Sequence, residues 1–308
     1  MKKNSLAIII VSKDREQKLS ECLDSILKSN LLPDEIVIVN KGAKPLLLKQ
    51  LKQSKVRISI VTESNSNLSK GRNSGVQVAT ADIICFTDDD CLVSKDWSAN
   101  IVSSFREHPK CSGVFGQVFA HELTKQLDSF CPCTFLKQSP EMISLPCPHM
   151  KKIGYGNNMA FRASIFQELG FFKPWLSIGS VGKSAEDAEF ALRILIHNKK
   201  IFFNPKVIVF HNRWLSKLQL KKQSLSYSCG ETACYGYFAF QNYKFANQVL
   251  QDAFLDSAYQ FKLIAKNILK LKINNFLFID LYYFIANLFF RLKGLLIGLY
   301  YSFIDPIR

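Results

Sequence analysis

The chain has 308 residues, 48% of them hydrophobic, with 40 Lys and Arg against 25 Asp and Glu and a formal net charge of +15. That length suffices for one large α/β domain with an appendage or for two small domains, and its core need not be stapled by disulfides. The charge favours an anionic partner, whether nucleic acid, a phosphorylated substrate or an acidic membrane surface, and does not choose among them.

The amino terminus, Met1-Lys2-Lys3-Asn4-Ser5, leads into a short apolar run over 6–11 with no small-residue cleavage site behind it. It reads as a buried strand and not as a signal peptide. Residues 6–12, 35–40, 56–62 and 82–87 are short runs rich in Ile and Val, the pattern of parallel strands buried on both faces. Between them, 15–28 carries Leu19, Cys22, Leu23, Ile26 and Leu27 at helical spacing, and 46–53 and 70–80 are also predicted helical. Strand and helix in alternation imply right-handed crossovers, with ligands bound beyond the carboxyl ends of the strands. Ser12, Asn40, Thr62 and Asp88 to Asp90 all fall at that edge.

Three consecutive aspartates, Asp88, Asp89 and Asp90, close the fourth run. Like charges about 4–6 Å apart disfavour joint ionisation, and a divalent cation reverses that cost. Carboxylate oxygens suit Mg²⁺ or Mn²⁺, whose coordination is completed by substrate phosphates. The triplet therefore reads either as a nucleotide-diphosphate site or as an acidic turn after an edge strand.

Over 119–153 the regular pattern dissolves into Cys131-Pro132-Cys133, Ser139-Pro140 and Pro146-Cys147-Pro148-His149, a long loop of the kind that is often functional. Cys131, Cys133, Cys147 and His149 are zinc-type ligands, but their Cys-x-Cys and Cys-x-His spacings are tighter than the common two-residue gap, and a free-thiol loop is the alternative. Nine cysteines, an odd number with many in apolar runs, suit a reducing compartment. Order resumes at 154–161, followed by predicted helices at 164–169 and 186–197 and a strand pair at 201–203 and 207–211.

Glu186-Asp187 opens the second of those helices. Ser184 and Asp187 match a capping box, and acids in a first turn favour the helix macrodipole. Alternatively, one carboxylate takes a proton from an acceptor hydroxyl.

The motifs in chain order are Ser12-Lys13-Asp14-Arg15 after the opening strand; Val39-Asn40-Lys41-Gly42 closing the second; Asn65 and then Arg72-Asn73-Ser74-Gly75; Asp88-Asp89-Asp90; Gly156-Asn157-Asn158-Met159-Ala160; Glu186-Asp187; and His211. Together they resemble the inverting family 2 glycosyltransferases of the GT-A fold, over roughly 5–240. The resemblance implies an α/β nucleotide-diphospho-sugar transferase fold with a mostly parallel, Rossmann-like sheet. It implies Asp88 and Asp90 as the D-x-D carboxylates on Mn²⁺ or Mg²⁺, with Asp90 the direct ligand and His211 helping to hold the metal. Asp89 would face the donor sugar or ribose, with Ser12, Asn40, Arg72 and Asn73 also around the donor. Asp187 would be the general base, and Glu186 would orient it or hold the acceptor. Two positions depart from the family. Asn40 stands where Asp is frequent and is followed by Lys41-Gly42, which leaves the nucleotide's identity open. Asn67 stands at a usual glycine, where Asn tolerates a left-handed backbone.

Beyond Trp214 the character changes, so a catalytic domain is expected over 1–214 and a helical, basic and apolar extension over 215–308. Lys262, Lys266 and Lys270 recur every fourth residue among apolar ones, a basic amphipathic helix suited to anionic membrane surfaces. The run 276–304 is almost wholly apolar but is interrupted by Asp280, Asn287, Arg291 and Lys293. A span needs about 20 predominantly apolar residues, so in-plane or re-entrant attachment is expected, with a soluble helical cap and a true span as the alternatives. The chain as a whole reads as a metal-dependent inverting glycosyltransferase at the cytoplasmic, inner face of the membrane. Its expected partners are a nucleoside-diphosphate sugar donor and a hydroxyl acceptor in polysaccharide, glycolipid or glycoconjugate synthesis. Nucleic acid is not an expected partner, because no aromatic-basic reading motif is present. The rival reading is a noncatalytic nucleotide-binding scaffold at the membrane.

Overall fold

A computed structural model describes residues 4–64, 67–125, 127–146, 153–269 and 275–307. The chain divides into two compact units, Met1–Pro174 with Asp187–Ser216, and Trp175–Glu186 with Lys217–Arg308.

The first unit is built on β1 (Leu6–Ser12), β2 (Glu35–Asn40), β3 (Arg57–Thr62) and β4 (Ile83–Asp88), parallel in the spatial order β3-β2-β1-β4. Alternate side chains go to opposite faces, and both faces are covered. Ile8, Ile10, Ile36 and Ile38 pack with α1 (Glu16–Leu27) and α4 (Trp97–Glu107), while Ile9, Val37, Val39 and Phe86 pack with α3 (Leu68–Val78), α5 (Ser164–Leu169) and α6 (Glu186–Ile196). This double coverage is why the strands read as unbroken apolar runs. A Cβ on Gly75 of α3 would lie 2.5 Å from Ile9, so glycine there lets the helix lie close on the sheet. In register, Ser12 faces Asn40, Asn40 faces Thr62 and Val11 faces Asp88, which lines the strand ends along one edge.

Beyond β4 the sheet is mixed. β9 (Met159–Arg162) runs antiparallel between β4 and β6 (Cys111–Ala120), and β10 (Lys200–His211) runs parallel to β6. β5 (Cys91–Val93) and β8 (Glu141–Ile143) pair antiparallel with β10, and β7 (Ser129–Phe130) pairs with β11 (Leu215–Ser216).

Several local expectations change. The strand pair at 201–203 and 207–211 is one strand, β10, with a register shift between Phe203 and Ile208. Pro205 removes a ladder donor there without turning the chain. The helix expected over 46–53 shrinks to α2 (Gln50–Gln53), and Leu48 packs in the core from non-helical backbone. The long loop contains the short strands β7 and β8. Asn67 is not left-handed: at φ −89° it caps α3, its Oδ1 accepting from the Lys70 N–H at 2.9 Å while its Nδ2 donates to the Pro174 carbonyl at 2.7 Å. An amide that caps a helix in this way needs extended backbone at the cap.

The second unit is helical: α7 (Lys217–Ala239), α8 (Lys244–Leu269) and α9 (Asn275–Ile304). α7 and α9 run side by side in parallel, joined from Lys221–Asp280 through Asn287–Ser228 to Thr232, whose hydroxyl donates to the Arg291 carbonyl. The polar residues expected to interrupt 276–304 do not break the helix. Asp280, Asn287 and Arg291 lie seven and four residues apart, so they share its inner face, where each has a partner. From Phe278 to Ile304 the helix is long and apolar enough to cross a membrane by length and composition. Lys262 and Lys266 are exposed on α8, while Lys270 falls outside the described residues.

Candidate active site

The three aspartates at the end of β4 point three ways. Asp88 faces Arg72, with Nη2 3.4 Å from Oδ1. Asp89 accepts from the Ser12 hydroxyl at 2.7 Å and pairs with Arg15 Nη1 at 3.0 Å. Asp90 lies between Arg15 at 3.0 Å and His211 Nε2 at 3.4 Å. Burial and the adjacent Asp90 raise the Asp89 carboxyl to about 6, although Arg15 and Ser12 pull it down. Burial would raise Asp90 as well, but the hydrogen bond and charge of His211 hold it below the ordinary range. Arg15 thus supplies the positive charge that two buried carboxylates require. In the sequence it belongs to the first motif, and its position three residues past a strand that ends beside an aspartate triplet is the signal for this pairing.

On the other face of the sheet, buried Arg72 donates to the Gly156 carbonyl at 3.1 Å, and the Gly156 N–H donates to Asp187 Oδ2 at 2.7 Å. A Cβ at Gly156 would stand 2.9 Å from Asp187 Oδ2 and 3.1 Å from Arg72 Nη1, so this glycine is what lets the guanidinium and the carboxylate come together. Asp187 Oδ1 also accepts from the Ala188 N–H at 2.8 Å, while the Ser184 hydroxyl donates to the Ser226 carbonyl. The two side chains therefore engage partners other than those of a capping box. Asp187 is half-buried and Glu186 buried. The start of α6 is anchored by Phe190, stacked on Phe166 at 4.9 Å and edge-on to Phe161 at 5.0 Å.

His211 ends β10. Its Nδ1–H donates to the Pro132 carbonyl at 2.7 Å, which turns Nε2 toward Asp90. Burial disfavours the imidazolium, yet the Asp90 hydrogen bond holds its pKa up at about 10. Asp90, Cys91 and His211 bring one ligand atom each within 4.8 Å of one another. Burial lifts the Cys91 thiol well above its ordinary range, and as a soft sulfur donor it suits Mg²⁺ or Mn²⁺ poorly. The remaining carboxylate and imidazole fit a small divalent cation, which would replace the proton now shared between them. Cys131 lies 3.7 Å from His211 Nδ1; Cys147 and His149, the other half of the possible zinc set with Cys133, lie outside the described residues, as does Asn65. No pattern in the sequence marks the Pro132 carbonyl, because a backbone acceptor carries no residue signature.

Two expected donor contacts are engaged locally. Asn40 closes a turn, donating to the Lys44 carbonyl at 2.8 Å and accepting from the Gly42 N–H at 2.9 Å. Asn73 grips the Phe172 backbone, donating at 2.9 Å and accepting at 3.0 Å. Ser12, Arg72, Asp88, Asp89, Asp90 and His211 are brought together at the sheet edge, and a cleft of about 290 Å³ opens beside Asp90, lined by Arg15, Lys18, Arg213 and Trp214.

Residues 7–170 match the model of the family described as Glycosyl transferase family 2. The chain belongs to that family. This glycosyltransferase is 24% identical over 230 residues to the glucosyl-dolichyl phosphate glucuronosyltransferase of Haloferax volcanii, an alignment covering 69% of this chain and 72% of that one. It is 23% identical over 240 residues to glycosyltransferase GlyA of Streptococcus pneumoniae, covering 72% of this chain but only 32% of that protein. Among solved structures, the mannosyltransferase PcManGT of Pyrobaculum calidifontis, in complex with GDP-Man and Mn²⁺, is similar with a TM-score of 0.59 at 16% identity over 95% of this chain and 88% of that one. S. aureus TarS 1-349 in complex with UDP gives 0.54 at 16% identity, covering 74% and 65%. These likenesses establish the GT-A type of fold.

Proposed function

We propose that this family 2 glycosyltransferase moves a sugar from a nucleoside-diphosphate donor to a hydroxyl acceptor, with inversion, by one in-line displacement. In this reading residues 1–214 are the catalytic domain and 215–308 its helical extension. Asp187 takes the acceptor proton, held in line by the Gly156 N–H, and Glu186 orients it or contacts the acceptor. Asp89, Ser12, Asn40, Arg72 and Asn73 surround the donor, and the Arg72 guanidinium offers its fork of donors to phosphate oxygens. Asn40 and Asn73 act there through the turns they hold. A Mn²⁺ or Mg²⁺ ion held by Asp88, Asp90 and His211 would supply positive charge to the departing diphosphate.

The observation that supports this most is the Asp88–Arg72–Gly156–Asp187 chain of contacts, which sets a proton acceptor and a phosphate-binding guanidinium side by side over one glycine. The two neighbours solved with UDP or with GDP-Man and Mn²⁺ are in keeping with the donor and metal classes. The acceptor is proposed to belong to a polysaccharide, glycolipid or glycoconjugate pathway at the cytoplasmic, inner face of a membrane, the enzyme being peripheral. A relative named O-antigen chain rhamnosyltransferase, from Salmonella typhimurium and 24% identical over 201 residues, supports that setting.

The test is the thermal shift of the full chain with UDP, GDP, dTDP or CMP, each with and without Mn²⁺. One nucleoside diphosphate should stabilise the protein only with metal, by about 2.7 kcal/mol at a hundredfold excess over Kd. Binding of none would overturn the nucleotide-sugar donor reading.

A further inference from the structure

The helical unit leaves one long apolar face without a partner among its described residues. On α9, Phe278, Tyr282, Ile285, Phe289, Leu296 and Phe303 follow one another at steps of three, four or seven residues, and each is between 58% and 76% exposed. They form a single stripe, because residues at such steps share a helix face. At about 1.5 Å per residue the stripe runs for nearly 40 Å, more than an ordinary soluble monomer leaves bare. A trough of about 440 Å³ lined by Val181, Phe289, Leu296 and Tyr300, with Lys293 at its side, widens it.

The opposite face of α9 argues about orientation. Arg291 is buried there, with Nη2 3.1 Å from Asp256 and Nη1 donating to the Ser257 hydroxyl of α8 at 2.9 Å, and Asp280 pairs with Lys221 of α7 at 2.9 Å. A helix bound lengthwise to two others cannot cross a bilayer alone. α7 carries Lys217, Lys221 and Lys222, and α8 carries Asp252, Asp256, Lys262 and Lys266, charges that are costly in hydrocarbon. Among the described helices only α9 has the length and composition of a span. Phe261 of α8 meets Phe284 of α9, α8 carries the exposed Lys262 and Lys266, and Lys293 of α9 stands at the apolar trough itself. An apolar face flanked by Lys293, in a helical unit that carries further exposed lysines, has the chemistry of an interfacial helix on anionic lipid.

We propose that α9 lies in the plane of the membrane, its stripe seated at the acyl boundary of an anionic lipid surface and Lys262, Lys266 and Lys293 directed to the head groups. The proposal rests on the membrane-surface reading above and specifies the face and orientation.

The purified full chain is sedimented with vesicles of phosphatidylcholine, alone or mixed with phosphatidylglycerol, and membranes of cells expressing it are extracted with carbonate. The chain should sediment with the mixed vesicles and be released by carbonate. A Phe289→Ser, Leu296→Ser double variant should bind about tenfold more weakly or worse, and Lys262→Glu with Lys266→Glu should lose the preference for phosphatidylglycerol. An unchanged melting temperature in each variant guards against misfolding. Failure of the unmodified chain to bind or to localise to membranes would overturn the membrane reading itself. Binding that survives the double variant would overturn the stripe alone, and retention after carbonate would overturn the in-plane orientation.

Discussion

The two units place polarity in opposite ways. In the first, carboxylates are drawn inside: Asp89 is 4% and Asp90 7% exposed at the end of a sheet, with Arg15, Ser12 and His211 around them. In the second, large apolar side chains are turned out along α9, whose packed face buries the charge of Arg291, at 7% exposed. Buried charge is tolerated in both places for one reason, that each group has a partner of opposite charge or a hydrogen-bonding neighbour. The difference lies in what is left open. The sheet edge leaves carboxylates gathered against cationic side chains, whereas the helix leaves an apolar face exposed.

The sharpest way to break this contrast is to remove one carboxylate oxygen's basicity without changing its shape. Asp187→Asn keeps an acceptor for the Gly156 N–H but cannot take a proton. Transfer should fall by about 10² to 10⁴ fold, the contribution of a positioned general base, while nucleotide-dependent thermal shift is retained. Transfer at the original rate would remove Asp187 from the role of base.

A smaller effect separates metal-free from metal-bound carboxylates. The His211 pKa is held at about 10 in the fold against about 6.5 in an unfolded chain. The folded protein therefore binds this proton more tightly. The stability it contributes is fully present below about pH 6.5 and is lost as pH rises toward 10. In EDTA, urea unfolding at pH 6 and pH 10 should show a decline of a few kcal/mol that His211→Gln flattens. A parallel decline in the variant would mean the Asp90–His211 pair does not set it.

Much of this was readable in advance. The four parallel strands were legible because burial on both faces leaves unbroken Ile and Val runs, and their aligned ends followed from parallel register. The aspartate triplet and His211 were legible as positions that meet at the edge. The pairing of Arg15 with Asp89 and Asp90 was not, since three successive side chains at a strand end can fan in any direction. The role of Asn67 as a cap was hidden by its resemblance to a turn position. The continuity of α9 is legible too: Asp280, Asn287 and Arg291 at steps of seven and four mark one inner face, so they interrupt the apolar run along the sequence without interrupting the helix.

That inner face gives the last and smallest test, aimed at the helical unit alone. Gly294 and Gly298 stand one turn apart where α9 meets α7, and a Cβ on Gly298 would lie 2.5 Å from the Ala233 carbonyl and 2.7 Å from the Tyr237 nitrogen. Those are backbone atoms and cannot step aside as a flexible side chain does. Gly298→Leu must therefore push the helices apart, and overpacking of this sort costs about 1–3 kcal/mol. Because Gly298 sits on the packed face and not on the exposed stripe, vesicle binding should persist at temperatures where the unit is still folded, while its melting temperature falls. A variant as stable as the unmodified chain would show that α7 and α9 do not pack this closely, and the division of α9 into an inner polar face and an outer lipid face would lose its basis.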